Sequence, residues 1–137
     1  MNAPLLTVEM HTSQPPAGTV VLVNPGSSAL RVWRLGNSWG DETLSFEIAS
    51  GGHRDAIRRK PQVYTRNIPA SVVLERGEKQ EIAFAIEDGQ WEPAAAVARL
   101  AAADALITAI YRVAPSPEAS AQGVWIGELR SEPVHLR

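Results

Sequence analysis

The side chains best suited to bind an anionic group lie in one short basic segment. Arg58 and Arg59 are adjacent within residues 54–66, Arg66 ends the segment, and the segment contains a single acidic residue. Guanidinium groups match the planar geometry of carboxylates and phosphates, so this segment is the best candidate for an anion-binding surface. With Tyr64 as its only aromatic residue, it lacks the interleaved rings that stack on nucleic-acid bases.

A second explanation for the basic segment remains open. Residues 75–92 carry six acidic and two basic side chains, so the two segments have opposite charge. Opposite charges on neighbouring strands commonly pair across a sheet. The basic residues are therefore predicted either to bind a partner or to be neutralised within the fold.

The four tryptophans are the second group of candidate binding residues. Trp33 lies in a strand-like run and is predicted to be the core ring. Trp39 lies in a loop between Gly36 and Gly40, where turn chemistry instead of ring burial is expected to hold the chain. Because loops on a rigid scaffold often carry recognition and Trp is a frequent anchor, Trp39 is predicted to share a recognition surface with the basic residues.

Two other uses of these rings stay open. Large aromatic rings often cap the ends of a sandwich, which is a purely structural role. Alternatively, Trp39, Trp91 and Trp125 could form a small-ligand or carbohydrate-binding face, for which exposed and coplanar rings would be required. The predicted binding set is Trp39, Arg58, Arg59 and Arg66.

Residues for catalysis or metal binding do not form a recognisable pattern. The chain has no cysteine, which excludes disulfides, thiol catalysis and zinc–thiolate sites. His11, His53 and His135 do not stand at a metal-ligand spacing, and no phosphate-binding glycine loop or nucleophile motif occurs. The sequence therefore predicts no enzyme activity, no catalytic residue, no metal and no cofactor.

Alternating apolar and polar residues predict the strands that would position these side chains. The alternation is clearest at 44–48 and 82–86, and Gly51-Gly52 predicts a hairpin between the first of these strands and the next. The other predicted strands are 19–23, 29–35, 72–74, 105–113, 124–129 and a last one containing Val134, with a Pro- and Ser-rich loop at 114–122.

An alanine-rich stretch at 93–103 predicts one short helix, with an irregular connection as the alternative. Eight or nine short strands at this spacing are typical of a sandwich. The fold class is therefore predicted as all-β, an immunoglobulin-like antiparallel β-sandwich formed by one domain, 1–137. Its predicted core contains Leu22, Val32, Phe46, Leu74, Phe84, Ile110 and Ile126.

Charge and hydropathy limit the partners. A net charge of −2 and a pI of about 5.9 argue against a general nucleic-acid binder, and no apolar run approaches the length of a membrane span. With no signal-peptide pattern, a cytoplasmic location is expected, or an extracytoplasmic one if the chain is a trimmed mature fragment. A protein partner is expected, with oligomerisation through an edge strand as a further possibility.

Several short motifs carry a family resemblance. They are Val-Leu-Val-Asn-Pro-Gly-Ser-Ser-Ala-Leu-Arg-Val (21–32), Leu-Gly-Asn-Ser (35–38), Leu-Ser-Phe-Glu-Ile (44–48), Val-Leu-Glu-Arg-Gly-Glu (73–78) and the ending at 123–136. This pattern resembles the β-rich, immunoglobulin-like region found ahead of deuterolysin-type and peptidyl-Lys metalloendopeptidase domains. The resemblance implies a non-catalytic accessory domain, protease-associated or inhibitory; the His-Glu-x-x-His helix of those enzymes is missing from the chain.

Overall fold

A computed structural model describes residues 4–11, 16–87 and 89–135. The strands are β1 (Leu5–His11), β2 (Ala17–Val23), β3 (Leu30–Trp33), β4 (Leu44–Ser50), β5 (His53–Arg59), β6 (Ser71–Leu74), β7 (Lys79–Ala85), β8 (Trp91–Glu92), β9 (Leu106–Val113), β10 (Gly127–Arg130) and β11 (Val134–His135). The helices are α1 (Ser38–Asp41), α2 (Ala94–Ala98), α3 (Pro117–Gln122) and a 3₁₀ turn (Arg99–Ala101).

The strands form two main antiparallel sheets and a small third one. The first sheet has the order β1-β2-β7. The second has the order β10-β9-β4-β5-β8, with β11 also paired to β9. Strands β3 and β6 pair with each other, and Val124 links β3 to the region before β10 through a single parallel bridge with Arg31.

The core lies between the two main sheets. Val20, Leu22, Ile82 and Phe84 come from the first sheet, and the rings of Phe84 and Phe46 approach to 4.6 Å between centroids. In β2, β4 and β7 the buried residues are every second one, as required when one face of a sheet packs and the other meets water. The predicted all-β antiparallel sandwich is confirmed.

Most of the predicted elements are present where the pattern placed them. The Gly51-Gly52 hairpin joins β4 to β5, with Ser50 opposite His53. The apolar run at 106–113 is a central strand, because it pairs with β4 on one side and with β10 and β11 on the other. The alanine-rich stretch forms α2 and the 3₁₀ turn that follows.

Of the seven predicted core residues, five are buried and two are not. Leu22, Val32, Phe46, Leu74 and Phe84 are buried. Ile126 is 48% exposed, and Ile110 is only half-buried. The prediction for Ile110 was wrong because alternation fixes which residues share a face but does not say which face is covered. The prediction for Ile126 was wrong because the strand begins only at Gly127, so Ile126 lies outside the alternating pattern.

The segment 114–129 differs most from prediction. Residues 117–122 form α3 instead of a loop: the Ser116 hydroxyl accepts from the Ala119 N–H at 3.0 Å, and Pro117 occupies the first turn. Gly123 ends the helix in the left-handed region, at φ 67°. The following strand is shorter than predicted, covering Gly127–Arg130.

Three described elements were not predicted. Strand β1 lies at the edge of the first sheet, β8 is a two-residue strand at the edge of the second, and α1 replaces the loop expected around Trp39. Within the residues that the structure describes, no helix is both long enough and apolar enough to cross a membrane.

Candidate functional site

The most distinctive feature of the surface is the outer edge of β7. Ala85 stands opposite Ala17, and the next residue, Ile86, donates its N–H to the carbonyl of Pro16 at 2.8 Å. Hydrogen-bonded pairs recur at every second residue of an antiparallel ladder, so the even-numbered residues of β7 bond to β2. The N–H and C=O groups of the odd-numbered residues therefore face away from β2.

These outward groups form what we call the open edge, defined by Lys79, Glu81, Ala83 and Ala85. The carbonyl of Ala85 accepts the indole N–H of Trp91 at 2.9 Å. In the described part of the chain, the outward backbone groups of Lys79, Glu81 and Ala83 have no hydrogen-bond partner, since β7 pairs only with β2. The edge thus presents a row of free donors and acceptors.

A cleft of about 450 Å³ opens beside this edge, between the first sheet and the end of the second. We call it the edge cleft. Its apolar lining comes from Leu35, Leu44, Ile82, Phe84 and Trp91. Leu44, Phe84 and Trp91 are core residues, so the cleft reaches the interior of the sandwich.

Asp41 is one of the charged groups of the edge cleft, and each of its carboxylate oxygens accepts a hydrogen bond. One oxygen accepts the Gly36 N–H at 2.9 Å, and the other accepts the Tyr64 hydroxyl at 2.7 Å. Burial, reinforced by this hydrogen bond and by the negative charge of Asp41, raises the pKa of Tyr64 to about 12. Asp41 therefore anchors the two loops that contain Gly36 and Tyr64.

Arg59 also lines the edge cleft and is the cation available there. Its side chain is exposed and forms no ion pair or hydrogen bond with any residue that the structure describes. It lies opposite Trp91 in the short β5–β8 pairing, which places it at the Ala85 end of the open edge. Glu87, exposed, is the remaining charged residue of the lining.

Arg58 lies on the other face of β5. Successive residues of a strand point to opposite faces, and Ile57, two residues before Arg59, is buried in the core. Arg58 pairs with Glu92 at 3.1 Å on the outer face. The predicted neutralisation of the basic segment by the acidic one therefore occurs at this position.

The four predicted binding residues do not form one surface. Trp39 and Arg58 line a shallow groove of about 500 Å³ together with Arg112. Arg59 lines the edge cleft instead, and Arg66 lies exposed in the connection between β5 and β6, lining neither.

The tryptophans mostly serve the packing of the sandwich. Trp33 is buried, as predicted. Trp39 is half-buried, with its ring 6.3 Å from that of Trp33 and its indole N–H 3.4 Å from a carboxylate oxygen of Glu118. Trp91 is buried, and Trp125 is half-buried and stacked on Tyr111. The described residues therefore include no pair of exposed, coplanar tryptophans.

Across the residues described, no group of three or more His, Asp and Glu side chains stands close enough to hold a metal ion. The side chain of His11 lies outside the described residues.

Sequence reasoning missed the open edge, although a signal was present. The alternating run at 82–86 is preceded by Lys79 and Glu81, and charges on the outer face are typical of edge strands. The order of strands in the sheet, which leaves β7 with one neighbour, depends on long-range pairing that no local pattern contains.

No protein-family model, curated protein or solved structure matches this chain. The resemblance to the domains that precede deuterolysin-type peptidases therefore stays a prediction.

Proposed function

We propose that this chain is a non-enzymatic protein-interaction domain that binds an extended segment of its partner as an additional strand on β7. The observation that carries the proposal is the open edge, where the outward backbone groups of Glu81 and Ala83 have no partner within the described structure. Strand addition uses such groups directly, because each added residue pair forms main-chain hydrogen bonds.

The edge cleft supports the same function. In strand addition, main-chain bonds supply affinity, while pockets for alternate side chains supply specificity. Every second side chain of an added strand would point toward the interior, where Leu44, Phe84 and Trp91 line the cleft. An edge without an adjacent cavity would offer affinity without this discrimination.

The outer face of the edge is charged, which agrees with a selective interaction. Lys79 and Glu81 are exposed and lie 3.6 Å apart. Charged side chains on an edge strand disfavour indiscriminate pairing with other sheets. A partner strand must therefore gain enough from the edge cleft to bind.

The other expected roles have less support. A carbohydrate or small-ligand module would need exposed rings, and the tryptophans of the described structure are buried or half-buried. The protease-associated role and the cytoplasmic location depend on the sequence alone and stay predictions. The proposal includes no cofactor, nucleic acid or membrane as a partner.

A library of displayed random dodecapeptides, selected on the wild-type chain, tests the proposal. Selected peptides are then measured against two variants, Ala83→Pro and Ala83→Ser. Proline removes the outward N–H and is tolerated on an edge strand, since no bond to β2 is lost. Serine keeps the N–H and serves as the matched control.

We expect Ala83→Ser to bind the selected peptides as tightly as wild type does. Ala83→Pro should bind them at least about tenfold more weakly, while its circular dichroism spectrum stays that of wild type. If the library yields no binder, or if Ala83→Pro binds the selected peptides as well as Ala83→Ser does, strand addition on β7 is wrong.

A further inference from the structure

Building on the proposed function, we infer that the segment added to β7 carries a large apolar side chain and, two positions away along the added strand, a carboxylate. The apolar side chain fills the edge cleft, and the carboxylate pairs with Arg59. The partner is thus an extended peptide with an apolar and an acidic residue on its inward face, separated by one residue; we call this the apolar-x-acidic pattern, whichever of the two residues comes first in the chain.

The apolar position follows from one part of the cleft lining. Leu35, Leu44, Phe84 and Trp91 form the apolar part of a cleft of about 450 Å³ that opens beside the β7 backbone. Burying apolar surface there is favourable in proportion to the area removed from water, so a large aliphatic or aromatic side chain gains most. A polar side chain would leave its hydrogen-bonding groups without partners among these residues.

The acidic position follows from where Arg59 lies along the edge. Arg59 stands opposite Trp91, and Trp91 is hydrogen-bonded to the Ala85 carbonyl, so the guanidinium group lies at one end of the cleft. Inward side chains of a strand repeat about every 7 Å, two residue rises along the chain. A residue two positions beyond the apolar one therefore reaches that end.

The charges around Arg59 leave it available. Asp41 accepts hydrogen bonds on both oxygens from Gly36 and Tyr64, and the ion pairs of the described residues do not include one between Asp41 and Arg59. Glu87 lines the same cleft but is exposed, where solvent and salt screen its effect. Arginine can bind a carboxylate with two parallel N–H···O bonds, which also fixes orientation.

A second copy of this chain does not fit the cleft through its own β7. The inward side chains of that strand, Ile82 and Phe84, are 7% and 8% exposed and already belong to the core of their own sandwich. An edge-to-edge dimer would form main-chain bonds and leave the cleft empty. The occupant is therefore a segment with free side chains on both faces.

The test uses synthetic peptides, capped at both ends, with an alternating Thr/Ser background and two randomised inward positions separated by one residue. The first position lies over the apolar lining of the edge cleft and the second lies beside Arg59, and the peptides are made in both chain orders. We expect Leu, Ile, Met or Phe at the first position and Asp or Glu at the second, in the one order that the direction of the added strand permits.

Three variants decide the assignment of Arg59. Arg59→Ala should lower the affinity for the apolar-x-acidic peptide about fivefold, as expected when a partly exposed ion pair is lost. Arg59→Glu should exchange the preference for Asp and Glu at the second position for Lys and Arg. Arg58→Glu is the matched control on the opposite face of β5, and it should leave the preference unchanged.

The outcomes separate this inference from the proposed function. If Ala83→Pro abolishes binding while Arg59→Glu leaves the preference unaltered, the carboxylate assignment is wrong and strand addition stands. If Ala83→Pro binds the peptides with the same affinity as wild type, strand addition itself is wrong. A dimer that sedimentation detects in the wild type and not in Ala83→Pro would show that a second copy occupies the edge, which overturns the inference.

Discussion

The indole N–H of Trp91 donates a hydrogen bond to the carbonyl oxygen of Ala85, with 2.9 Å between the two heavy atoms. This bond joins β8, the last strand of the second sheet, to the end of β7 in the first. It also occupies one of the outward carbonyls of the open edge. The free outward carbonyls therefore end at Ala83, whereas the outward N–H of Ala85 has no partner in the described structure.

Trp91→Phe tests this junction. The ring remains in the core, but the donor is lost, and we expect the free energy of unfolding to fall by about 1 kcal/mol. Trp91→Ala also removes the ring that packs against Phe46, at 5.6 Å between centroids, and should cost about 3–5 kcal/mol. Urea denaturation measures both; equal losses in the two variants would show that the hydrogen bond is the main contribution.

Trp33 and Trp39 should differ in the stability that each ring provides. Trp33 is 3% exposed, so Trp33→Ala leaves a cavity and should cost about 3–5 kcal/mol. Trp39 is half-buried against it, and Trp39→Ala should cost about 1–2 kcal/mol, since less apolar surface is returned to water. Urea melts that rank the two variants in the reverse order would contradict the packing described.

Arg58 and Glu92 provide a direct test of charge neutralisation. Their side chains lie 3.1 Å apart and are 73% and 35% exposed. A double-mutant cycle with Arg58→Ala and Glu92→Ala should give a coupling of about 0.2–1 kcal/mol, which shrinks at high salt because exposed charges are screened. Arg59→Ala is the matched control, and it should change stability less. A coupling that persists in molar salt would contradict an exposed ion pair.

Asn24 should be one of the most sensitive polar residues. Its buried side chain donates to the carbonyls of Leu74 at 2.8 Å and Ser28 at 2.9 Å, and accepts the Gly26 N–H at 3.0 Å. Asn24→Ala leaves buried groups unpaired and should cost about 2–4 kcal/mol. Thermal unfolding of Asn24→Ala beside Ser27→Ala, an exposed neighbour in the same turn, measures this; similar melting temperatures would contradict the role of Asn24.

The fold was largely predictable because burial of one face leaves a periodic trace. Phe46 and Ile48 alternate with polar residues, and so do Ile82 and Phe84, which is why β4 and β7 could be predicted. Helix α3 could not be predicted from periodicity, because six residues are too few to show it. Its capping residues, Ser116 and Gly123, also occur in ordinary turns, so their pattern favoured a loop.

The two parts of the site differed in how far they could be predicted. The separation of Arg58 from Arg59 could have been inferred, because adjacent residues on a strand point to opposite faces. The open edge could not be inferred from its charged residues alone, because it exists only once β2 pairs with β7 and nothing pairs with the other side in the described structure. Strand order is a property of the whole chain, whereas charge clusters and aromatic residues are visible locally.

The hydrogen bond from Tyr64 to Asp41 makes a prediction about pH. The pKa of Tyr64 is raised from 10.0 to about 12, first by burial and then by the neighbouring carboxylate, so the fold favours the neutral phenol. The stability that results is fully present below pH 10 and is lost as the pH rises through about 12. Tyr64→Phe should be less stable than wild type at pH 8, by less than about 1 kcal/mol because Tyr64 is only partly buried and solvent still screens its interactions.

The difference between Tyr64→Phe and wild type should therefore shrink when urea denaturation is repeated at increasing pH above 10. Asp41→Asn serves as the control: without the negative charge the pKa of Tyr64 should fall, yet stay above its ordinary value because burial is the larger cause. The tyrosine Cζ resonances, followed by NMR, report the titration directly, and Tyr64→Phe assigns them because the chain has only one other tyrosine. A Tyr64 resonance that titrates near pH 10 in the folded chain would show that the phenol does not bond to Asp41.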